Sequence, residues 1–422
     1  MQAIGIDLGT TSVCGVSVDL KSGLVLKSKT INSNAFIEGR EFEKIQSPEK
    51  IIGIATEILE QLVTEETAVI GVTGQMHGIV YYDKDGNAVS PLYTWQDARG
   101  NEPFKDTTYA EFLNSKSGYG AVTDFYNRQN GLVPNTALSY CTIHDYLVMK
   151  LCSLKKAKIH SSDAASFGLY NLKSNTFEFE NNLQVVNDYC IAGDYKGIPV
   201  SVAIGDNQAS VFSCLKDEDS LLLNVGTGSQ VSIISDNIIE SENLETRPYF
   251  EGKYLVVGAA LCGGRAYSLL KDFYAKILDE ENEGKVYAKM DKMLESIEKS
   301  TISVDTRFAG TRNDASIKGS INGLTVSNFT PEELTLGVLN GMADELYNLY
   351  LEMKSEKGGL VASGNGIRKN ERFKKISEKK FEREVKIPAH LEEAAFGAAI
   401  FGAISSGIFK DANDAHKLIR YE

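Results

Sequence analysis

The sequence lacks the cysteine pattern of a disulfide scaffold or a zinc site. Its 422 residues include six cysteines, none of them in a C-x-x-C pair, so the spacing offers no metal-ligand set. Scattered cysteines in a chain of this length are typical of a reducing compartment, which predicts a cytoplasmic location. We expect nearly all of them to be small buried hydrophobic residues.

Long apolar runs and an excess of positive charge are also missing. The longest apolar run, residues 394–404, is far shorter than the roughly 20 residues that cross a membrane. The N-terminus runs directly into a strand pattern, which predicts no signal peptide. Lys and Arg number 44 against 57 Asp and Glu, a net charge of −13. That charge repels nucleic acid and anionic membranes, so we expect neither as a partner, and a nucleotide site would need backbone donors and a metal ion.

Two stretches of the sequence repeat one pattern about half the chain apart. Residues 3–18 and residues 221–234 each contain an apolar strand, a short Gly/Thr/Ser turn and a second β-branched strand, which predicts a hairpin. The polar residues at the turns, Asp7 and Asn224, lie 217 positions apart (224 − 7). The repeat predicts two similar domains that face each other across a cleft.

The remaining sequence alternates strands and helices, which favours an α/β architecture. A chain of 422 residues is too long for one ordinary core, and we place the boundary near residue 198, giving domains 1–198 and 199–422. The patterns predict strands over 68–73, 199–204 and 360–362, and helices after Ser47-Pro48, after Thr330-Pro331 and over 391–406.

The two predicted hairpin turns are candidate phosphate sites. Glycine and hydroxyl residues in such turns expose successive backbone N–H groups, which form concave anion sites. The turn residues are Thr10, Thr11 and Ser12 in the first hairpin, and Gly226 and Thr227 in the second. The alternative is a pair of ordinary hairpins, but two such turns at half-chain spacing favour a polyphosphate ligand such as ATP.

Two aspartates are candidates for chemistry. Asp206 follows an apolar strand and a glycine, so it lies at the carboxyl end of a strand, where α/β ligand sites collect. We predict that it is the base that activates an acceptor hydroxyl. Asp7 ends an apolar strand beside Thr10 and Thr11, and we predict that it holds Mg²⁺. A routine turn residue is the alternative for each.

Two loops are candidates for a sugar pocket. Gln75, Met76 and His77 offer two hydrogen-bonding side chains and an apolar surface. The second loop carries Trp95, the only tryptophan, with Asp97 and Arg99 shortly after it. A tryptophan face packs on sugar C–H groups while polar side chains contact hydroxyls. The alternative is a core tryptophan with loop polar residues.

A glycine-rich turn late in the second half is a candidate adenosine site. Glycine allows the backbone to approach a flat base closely. The residues of this turn are Gly364, Asn365 and Gly366, and Asn370 follows as a candidate for the edge of the base. Gly264, near the start of another predicted helix, is a second and weaker candidate.

Together these motifs resemble the FGGY family of carbohydrate kinases, from the first residue to the final helix. The matching stretches are 7–12, 226–228, 205–208 and 393–399. By that resemblance Asp206 is the catalytic base, and Asn207 and Gln208 contact the substrate. Residues 142–146, Thr-Ile-His-Asp-Tyr, are most similar to the sedoheptulokinase branch of the family. The sequence departs from the family at 363–366, where one of three usual glycines is asparagine.

The resemblance implies two actin/hexokinase-type, ribonuclease H-like ATPase domains facing a central cleft. It implies transfer of a phosphoryl group from MgATP to the terminal hydroxyl of a ketose, with sedoheptulose as the expected acceptor and a homodimer as a possible assembly. Xylulose, ribulose and glycerol are alternative acceptors. A non-catalytic actin-fold ATPase and an inactive sugar sensor are alternatives from other functional classes.

Overall fold

A computed structural model describes residues 1–422. The strands are β1 (Gln2–Leu8), β2 (Ser12–Asp19), β3 (Val25–Asn32), β4 (Ile45–Gln46), β5 (Thr67–Gly74), β6 (Val80–Asp83), β7 (Leu92–Tyr93), β8 (Pro103–Phe104), β9 (Thr107–Thr108), β10 (Ala137–Cys141), β11 (Lys158–His160), β12 (Tyr170–Asn171), β13 (Thr176–Phe177), β14 (Gln184–Val186), β15 (Ile191–Tyr195), β16 (Ile198–Ser201), β17 (Ile204–Gly205), β18 (Ser220–Val225), β19 (Ser229–Ser235), β20 (Leu244–Pro248), β21 (Tyr254–Ala260), β22 (Ser303–Asp305), β23 (Ser320–Asn322), β24 (Gly359–Ser363) and β25 (Val385–Lys386).

The helices alternate with these strands over most of the chain. They are α1 (Pro48–Leu62), α2 (Tyr109–Phe112), α3 (Gly120–Gln129), α4 (Ile143–Leu151), α5 (Ser161–Ser166), α6 (Asp206–Cys214), α7 (Gly263–Leu278), α8 (Glu283–Glu295), α9 (Pro331–Glu352), α10 (Asn365–Arg368), α11 (Glu371–Phe381), α12 (Glu393–Ser405) and α13 (Ala412–Ala415). No helix of the described chain is long and apolar enough to cross a membrane.

The chain forms two compact units, each assembled from separate stretches of sequence. Unit 1 contains Met1–Lys216, Arg247–Tyr254 and His390–Arg420. Unit 2 contains Asp217–Thr246, Leu255–Ala389 and the last two residues. This division differs from the predicted boundary at 198, because β16 and β17 pair with β5 of unit 1 and α12 packs on the same sheet.

Unit 1 is built on a seven-stranded sheet in the order β15-β16-β5-β1-β2-β3, with β17 also paired to β5. The strands β1, β2 and β3 form an antiparallel meander, and β5 runs parallel to β1. Helix α1 packs on β2, and α12 packs on β1 and β5. The carboxyl ends of β1, β5 and β17 therefore meet at one edge of the sheet.

Unit 2 repeats this arrangement in a six-stranded sheet of order β20-β21-β19-β18-β24-β25. β18 and β19 form an antiparallel hairpin, and β24 runs parallel to β18 on its other side. Each unit thus has a hairpin whose first strand is central and is paired with a later parallel strand. This repeat confirms the prediction of two ribonuclease H-like sheets.

The packing of α12 on the first sheet depends on glycine. A Cβ atom added at Gly5 of β1 would lie 1.7 Å from the carbonyl oxygen of Ala395, and one at Gly71 of β5 would lie 1.8 Å from that of Ala398. Backbone meets backbone at both positions, so no side chain fits there. A helix near the C-terminal end of the sequence thereby closes the core built by the first strands.

We expect Gly71→Ala to lower the free energy of unfolding by about 3 kcal/mol or more, because a helix carbonyl cannot move aside as a flexible side chain can. Denaturant unfolding measures the change. The matched control is Gly53→Ala in α1, where an added Cβ meets nothing within 4 Å. That variant should be neutral or up to about 1 kcal/mol more stable. Equal stabilities of the two variants would contradict the close packing.

Most of the predicted elements are present, with two differences. The predicted strand over 199–204 is broken into β16 and β17. Thr330 caps α9 by accepting from the Glu333 N–H at 3.3 Å, but the Glu333 carboxylate accepts from Ser300 and Thr301 instead of returning to the cap. The predicted helix thus begins as expected, but a long-range partner takes the place of the second half of a capping box.

Candidate active site

The candidate catalytic aspartates are brought together by strand pairing in unit 1. Gly74, the last residue of β5, is paired with Leu8 on one side and with Gly205 on the other. Asp7 is the residue before Leu8, and Asp206 follows Gly205 as the first residue of α6. The sheet register alone therefore places both carboxylates at the same edge of the sheet, as the sequence predicts.

The two carboxylates repel each other at a half-buried site. Burial is the main cause that raises the pKa of Asp7 to about 7, and the nearby Asp206 adds to it. Burial likewise raises the pKa of Asp206 to about 6, although His144 and Arg247 oppose that rise. Each shift reflects the cost of holding a negative charge away from water. A cation placed at this edge would relieve that cost.

The residues present fit a magnesium ion. Oδ1 of Asp7 is buried and has no hydrogen-bond partner, which is a costly state for a carboxylate oxygen. Magnesium is usually held by one or two carboxylates together with water and substrate phosphates. Asp7 is the residue we predict for that role, and Asp206 supplies the second negative charge at the site.

Trp95 lies on the surface of unit 1 and is linked to the first hairpin turn. Its side chain is 47% exposed, and its indole N–H donates to the Thr10 hydroxyl at 2.9 Å. Gln75 donates to Gln46 at 2.9 Å, and Gln46 donates to the Thr10 carbonyl at 2.7 Å. The sugar-loop candidates and the phosphate-turn candidate therefore belong to one hydrogen-bonded group. Gln46 is a member that the sequence did not reveal.

His77 is held in an unusual backbone conformation. Its φ of 72° lies in the left-handed region that non-glycine residues rarely adopt. Its backbone N–H donates to the Ser166 hydroxyl, and its Nδ1 lies 2.7 Å from the Ser166 carbonyl oxygen. Since a carbonyl only accepts, Nδ1 carries the proton. The ring stacks on Tyr119 at 4.3 Å, which fixes its orientation.

Arg247 is a site residue that sequence reasoning missed. It is buried, and its guanidinium donates to Asn207 at 3.2 Å and contacts the sulfur of Met76 at 3.9 Å. Its charge also lowers the pKa of Asp206, against the larger effect of burial. Arg247 lies 41 positions after Asp206 (247 − 206), and no local motif signals that the two meet.

The first hairpin turn, between β1 and β2, contains Thr10 and Thr11, and Ser12 opens β2. The Thr11 carbonyl accepts from the Ser33 N–H at 2.8 Å, so the bend is tied to the end of β3. The Thr11 side chain is exposed. This turn can present backbone N–H groups to an anion, as predicted from its composition.

The second hairpin turn, in unit 2, is fastened to the start of α7. The Gly264 N–H donates to the Gly226 carbonyl at 3.1 Å, and the Arg265 N–H donates to the Thr227 carbonyl at 2.9 Å. A Cβ at Gly264 would lie 2.3 Å from the Gly226 oxygen. Gly264 is therefore required for packing against the turn, whether or not a nucleotide contacts it.

The predicted adenosine turn lies between β24 and α10, also in unit 2. Gly364 has a φ of 86°, and a Cβ added there would lie 2.5 Å from the Val225 carbonyl oxygen. Gly366 packs on the same residue, and Asn365 begins α10. Asn370 caps α11 by accepting from the Phe373 N–H at 2.9 Å. Packing explains both glycines, and an adenosine role for the turn stays a prediction.

Comparison with known proteins identifies the family. The model of the N-terminal domain of the FGGY family of carbohydrate kinases matches residues 2–187, and the model of its C-terminal domain matches residues 221–406. The chain belongs to the FGGY family of carbohydrate kinases. It is therefore a kinase with a sugar and a nucleotide as substrates.

Relatives of this FGGY kinase have several sugar specificities. Sedoheptulokinase of Mus musculus is 27% identical, over 94% of this chain and 96% of its own. The xylulose kinase of Staphylococcus xylosus is 25% identical, over 97% of this chain and 92% of its own. The solved xylulose kinase of Rhodospirillum rubrum has a TM-score of 0.88 at 19% identity and covers 100% of this chain and 93% of its own. The structural match confirms the two-domain α/β fold.

Two predicted sugar contacts of this FGGY kinase need correction. Arg99 is fully buried and Asp97 almost so. The Arg99 guanidinium donates to both carboxylate oxygens of Asp97, at 2.7 and 3.1 Å, and to Asn127. It also lies over the Tyr93 ring at 4.2 Å. Their polar atoms contact one another, so the pair is part of the internal support of the Trp95 loop and does not contact a sugar.

Gln208 is also misassigned by the sequence interpretation. Its side chain is fully buried, and its amide donates to the Pro248 carbonyl at 3.1 Å. It therefore connects α6 to the segment that carries Arg247, and that contact fixes the position of Asp206 relative to Arg247. Asn207, which contacts Arg247, keeps its predicted place at the site.

We expect Asp97→Asn to lower the free energy of unfolding by about 3 kcal/mol, because it removes the carboxylate bonded to the buried Arg99 guanidinium and leaves only Glu43, at 3.5 Å, as an ionised partner. The KM for the sugar should change less than about threefold in the folded enzyme, since loss of a surface or remote contact rarely costs more than about 0.5 kcal/mol. Thermal unfolding and steady-state kinetics measure the two effects. A large rise in KM at unchanged stability would restore Asp97 to the sugar pocket.

Proposed function

We propose that this kinase transfers the γ-phosphoryl group of MgATP to the terminal primary hydroxyl of sedoheptulose, giving sedoheptulose 7-phosphate. The observation that carries the chemistry is the position of Asp206, a half-buried carboxylate at the start of α6 close to Asp7. A base of this kind must be ionised at the working pH and must reach the proton of the acceptor hydroxyl.

Asp206 acts as the general base. As the sugar oxygen forms a bond to the γ-phosphorus, the bond from that phosphorus to the bridging oxygen breaks and ADP leaves. The proton of the hydroxyl passes to Asp206. With a pKa of about 6, Asp206 is mostly ionised at neutral pH yet basic enough to accept a proton. The rate should therefore fall as the pH drops through about 6.

The phosphates are held by backbone and metal. The turn residues Thr10 and Thr11 of unit 1 offer N–H groups to phosphate oxygens. Gly226 and Thr227 form the predicted phosphate turn of unit 2. Mg²⁺ at Asp7, when bound, neutralises the charge that develops on the transferred group. Binding by backbone and metal suits a chain whose net charge of −13 repels a free nucleotide.

The sugar lies against Trp95 in our proposal. Its exposed ring offers a flat apolar face, while His77 and Asn207 supply hydrogen-bonding groups. The buried Gln75 supports the site through its hydrogen bond to Gln46. Arg247 adds a fixed donor next to Asp206. A planar guanidinium that is held by neighbours loses little freedom on binding a hydroxyl, so it can contribute to the choice of acceptor.

The choice of sedoheptulose is supported by the relatives. The mouse sedoheptulokinase aligns with 94% of this chain, and residues 142–146 resemble that branch. These residues form the capping box of α4, in which Thr142 accepts from the Asp145 N–H at 3.1 Å. The xylulose kinase of Staphylococcus xylosus is nearly as similar, so xylulose is the second candidate acceptor, ahead of ribulose and glycerol.

ADP release with a panel of acceptors tests this proposal. We expect kcat/KM for sedoheptulose to exceed those for xylulose, ribulose and glycerol by at least about tenfold, since a missing hydrogen-bonded hydroxyl leaves buried polar groups unpaired. Higher activity on xylulose would replace the proposed acceptor within the same chemistry. ATP turnover that does not depend on any sugar would instead favour a non-catalytic actin-fold ATPase, and no turnover with bound sugar would favour a sensor.

Trp95 also provides a direct binding readout, since it is the only tryptophan. Sedoheptulose should change the fluorescence of Trp95 in the absence of nucleotide, and Trp95→Phe should remove the signal.

Chelation of Mg²⁺ in the ADP-release assay measures the predicted Mg²⁺ requirement. The cytoplasmic location and the homodimer stay predictions.

A further inference from the structure

His144 lies directly against the strand ends that carry the two catalytic aspartates. A Cβ atom added at Gly74 would lie 2.9 Å from Nδ1 of His144. Gly74 is the residue paired with both Leu8 and Gly205, the neighbours of Asp7 and Asp206. The imidazole therefore lies against the end of β5, which is the central one of three strands. Asp7 lies near the end of β1 on one side, and Asp206 directly follows β17 on the other.

The other edge of the ring is held by an aspartate of α5. Nε2 of His144 lies 3.0 Å from Oδ1 of Asp163, and both side chains are fully buried. Helix α5 is itself fixed to the catalytic segment, because the Ser162 hydroxyl accepts from the Gly205 N–H at 3.1 Å. His144 thus lies between Asp163 and the strand ends.

The titratable groups with the largest effects on the pKa of His144 are acids. These groups are Asp145 on α4, Asp163 on α5 and Asp206 on α6, and His144 in turn acts on Asp7 of β1. Burial lowers the pKa of His144, but Asp163, Asp145 and Asp206 together outweigh it and raise that pKa to about 9. The ring is therefore a cation over the whole neutral range.

We propose that His144, anchored by Asp163, is a positioning residue whose buried imidazolium lies behind the strand ends that carry Asp7 and Asp206 and stabilises the ionised Asp206 carboxylate before substrate binds. His144 acts on Asp206 together with Arg247. Fixed charges of this kind cost no reorganisation during the reaction. This role rests on the proposed function of Asp206 as the base.

A metal ion is the competing interpretation of the same cluster. Donor atoms of His144, Asp145 and Asp163 all lie within 4.8 Å of one another. The 3.0 Å distance between Nε2 of His144 and Oδ1 of Asp163 matches an ion pair, in which the imidazolium itself would supply the positive charge. Metal analysis of the purified, chelator-treated enzyme separates the two cases, because a retained stoichiometric metal would contradict the ion pair.

The pH dependence of kcat/KM in His144→Gln tests the proposal. Loss of a cation raises the pKa of a nearby carboxylate, so the acidic midpoint should move up by about one unit. His160→Gln is the matched control. His160 is equally buried, but burial lowers its pKa to about 4, so it is neutral and its loss should leave the midpoint in place. Equal midpoints in wild type and a folded His144→Gln would overturn the proposal.

NMR titration of the imidazole in the wild-type enzyme is a second test that needs no variant to fold. The His144 ring should stay protonated up to about pH 8, whereas a ring that is neutral at pH 7 would refute the role. The outcomes also separate the role proposed for His144 from the role proposed for Asp206. An inactive Asp206→Asn with an unshifted His144→Gln removes only the role of His144, while an active Asp206→Asn removes the base itself.

Discussion

Replacing Asp206 by asparagine should lower kcat by about 10²- to 10⁴-fold, the usual contribution of a general base. Asparagine keeps the size and shape of the side chain but cannot accept the proton of the sugar hydroxyl. In the proposed function the nucleotide is held by backbone turns and metal, so its binding should persist. Sugar-dependent ADP release and calorimetric titration of the nucleotide measure the two properties separately.

The matched control for this variant is Asp279→Asn. Asp279 is an exposed aspartate at the end of α7 with a φ of 48°, a conformation that asparagine adopts equally well. The control makes the same chemical change far from any candidate site residue and should retain full activity. Turnover of Asp206→Asn within about threefold of wild type would remove Asp206 from the mechanism, since loss of a base costs far more.

Replacing Asp7 by asparagine should lower kcat/KM for MgATP by about 10²-fold or more, since a bound metal supplies several kcal/mol of charge stabilisation. The variant should also need a higher Mg²⁺ concentration for half-maximal activity. A second effect follows from charge. Asp206 raises the pKa of Asp7, and repulsion between two like charges is mutual, so removal of Asp7 should shift the acidic midpoint of the rate to lower pH, opposite to the shift in His144→Gln.

Kinetics over a range of Mg²⁺ concentrations and pH test both effects of Asp7→Asn. Asp279→Asn again serves as the control, because it removes one carboxylate from the chain and leaves the site intact. An unchanged Mg²⁺ requirement would show that Asp7 does not contribute to holding the metal. A midpoint that moved to higher pH would contradict the repulsion between the two carboxylates.

The elements that the sequence predicts are those with local signals. The two hairpins follow from alternating apolar strands around glycine turns, and α1 follows from Ser47-Pro48, which caps it as expected. Asp7 and Asp206 are recognisable as candidates in the sequence because Asp7 lies at the end of an apolar strand and Asp206 follows one. Local chemistry is sufficient for these features, since the turn, the cap and the strand end are all formed by neighbours in sequence.

The features that the sequence does not predict depend on contacts between residues that are distant in the chain. Asp97 and Arg99 look like sugar ligands in sequence, and only the packing of Arg99 on Asn127 and Tyr93 shows that they are buried. Arg247 reaches Asn207 through the fold alone. The membership of α12 in unit 1 follows from its backbone contact with Gly5 and Gly71, which no pattern in either stretch announces.

The most direct test of the account is a crystal structure of the enzyme with sedoheptulose and a non-hydrolysable ATP analogue. The account predicts an Asp206 carboxylate oxygen about 2.6–3.2 Å from the terminal primary hydroxyl, the reach of a general base, with the sugar against Trp95. A sugar bound elsewhere, or a primary hydroxyl beyond the reach of Asp206 with no bridging water, would contradict it.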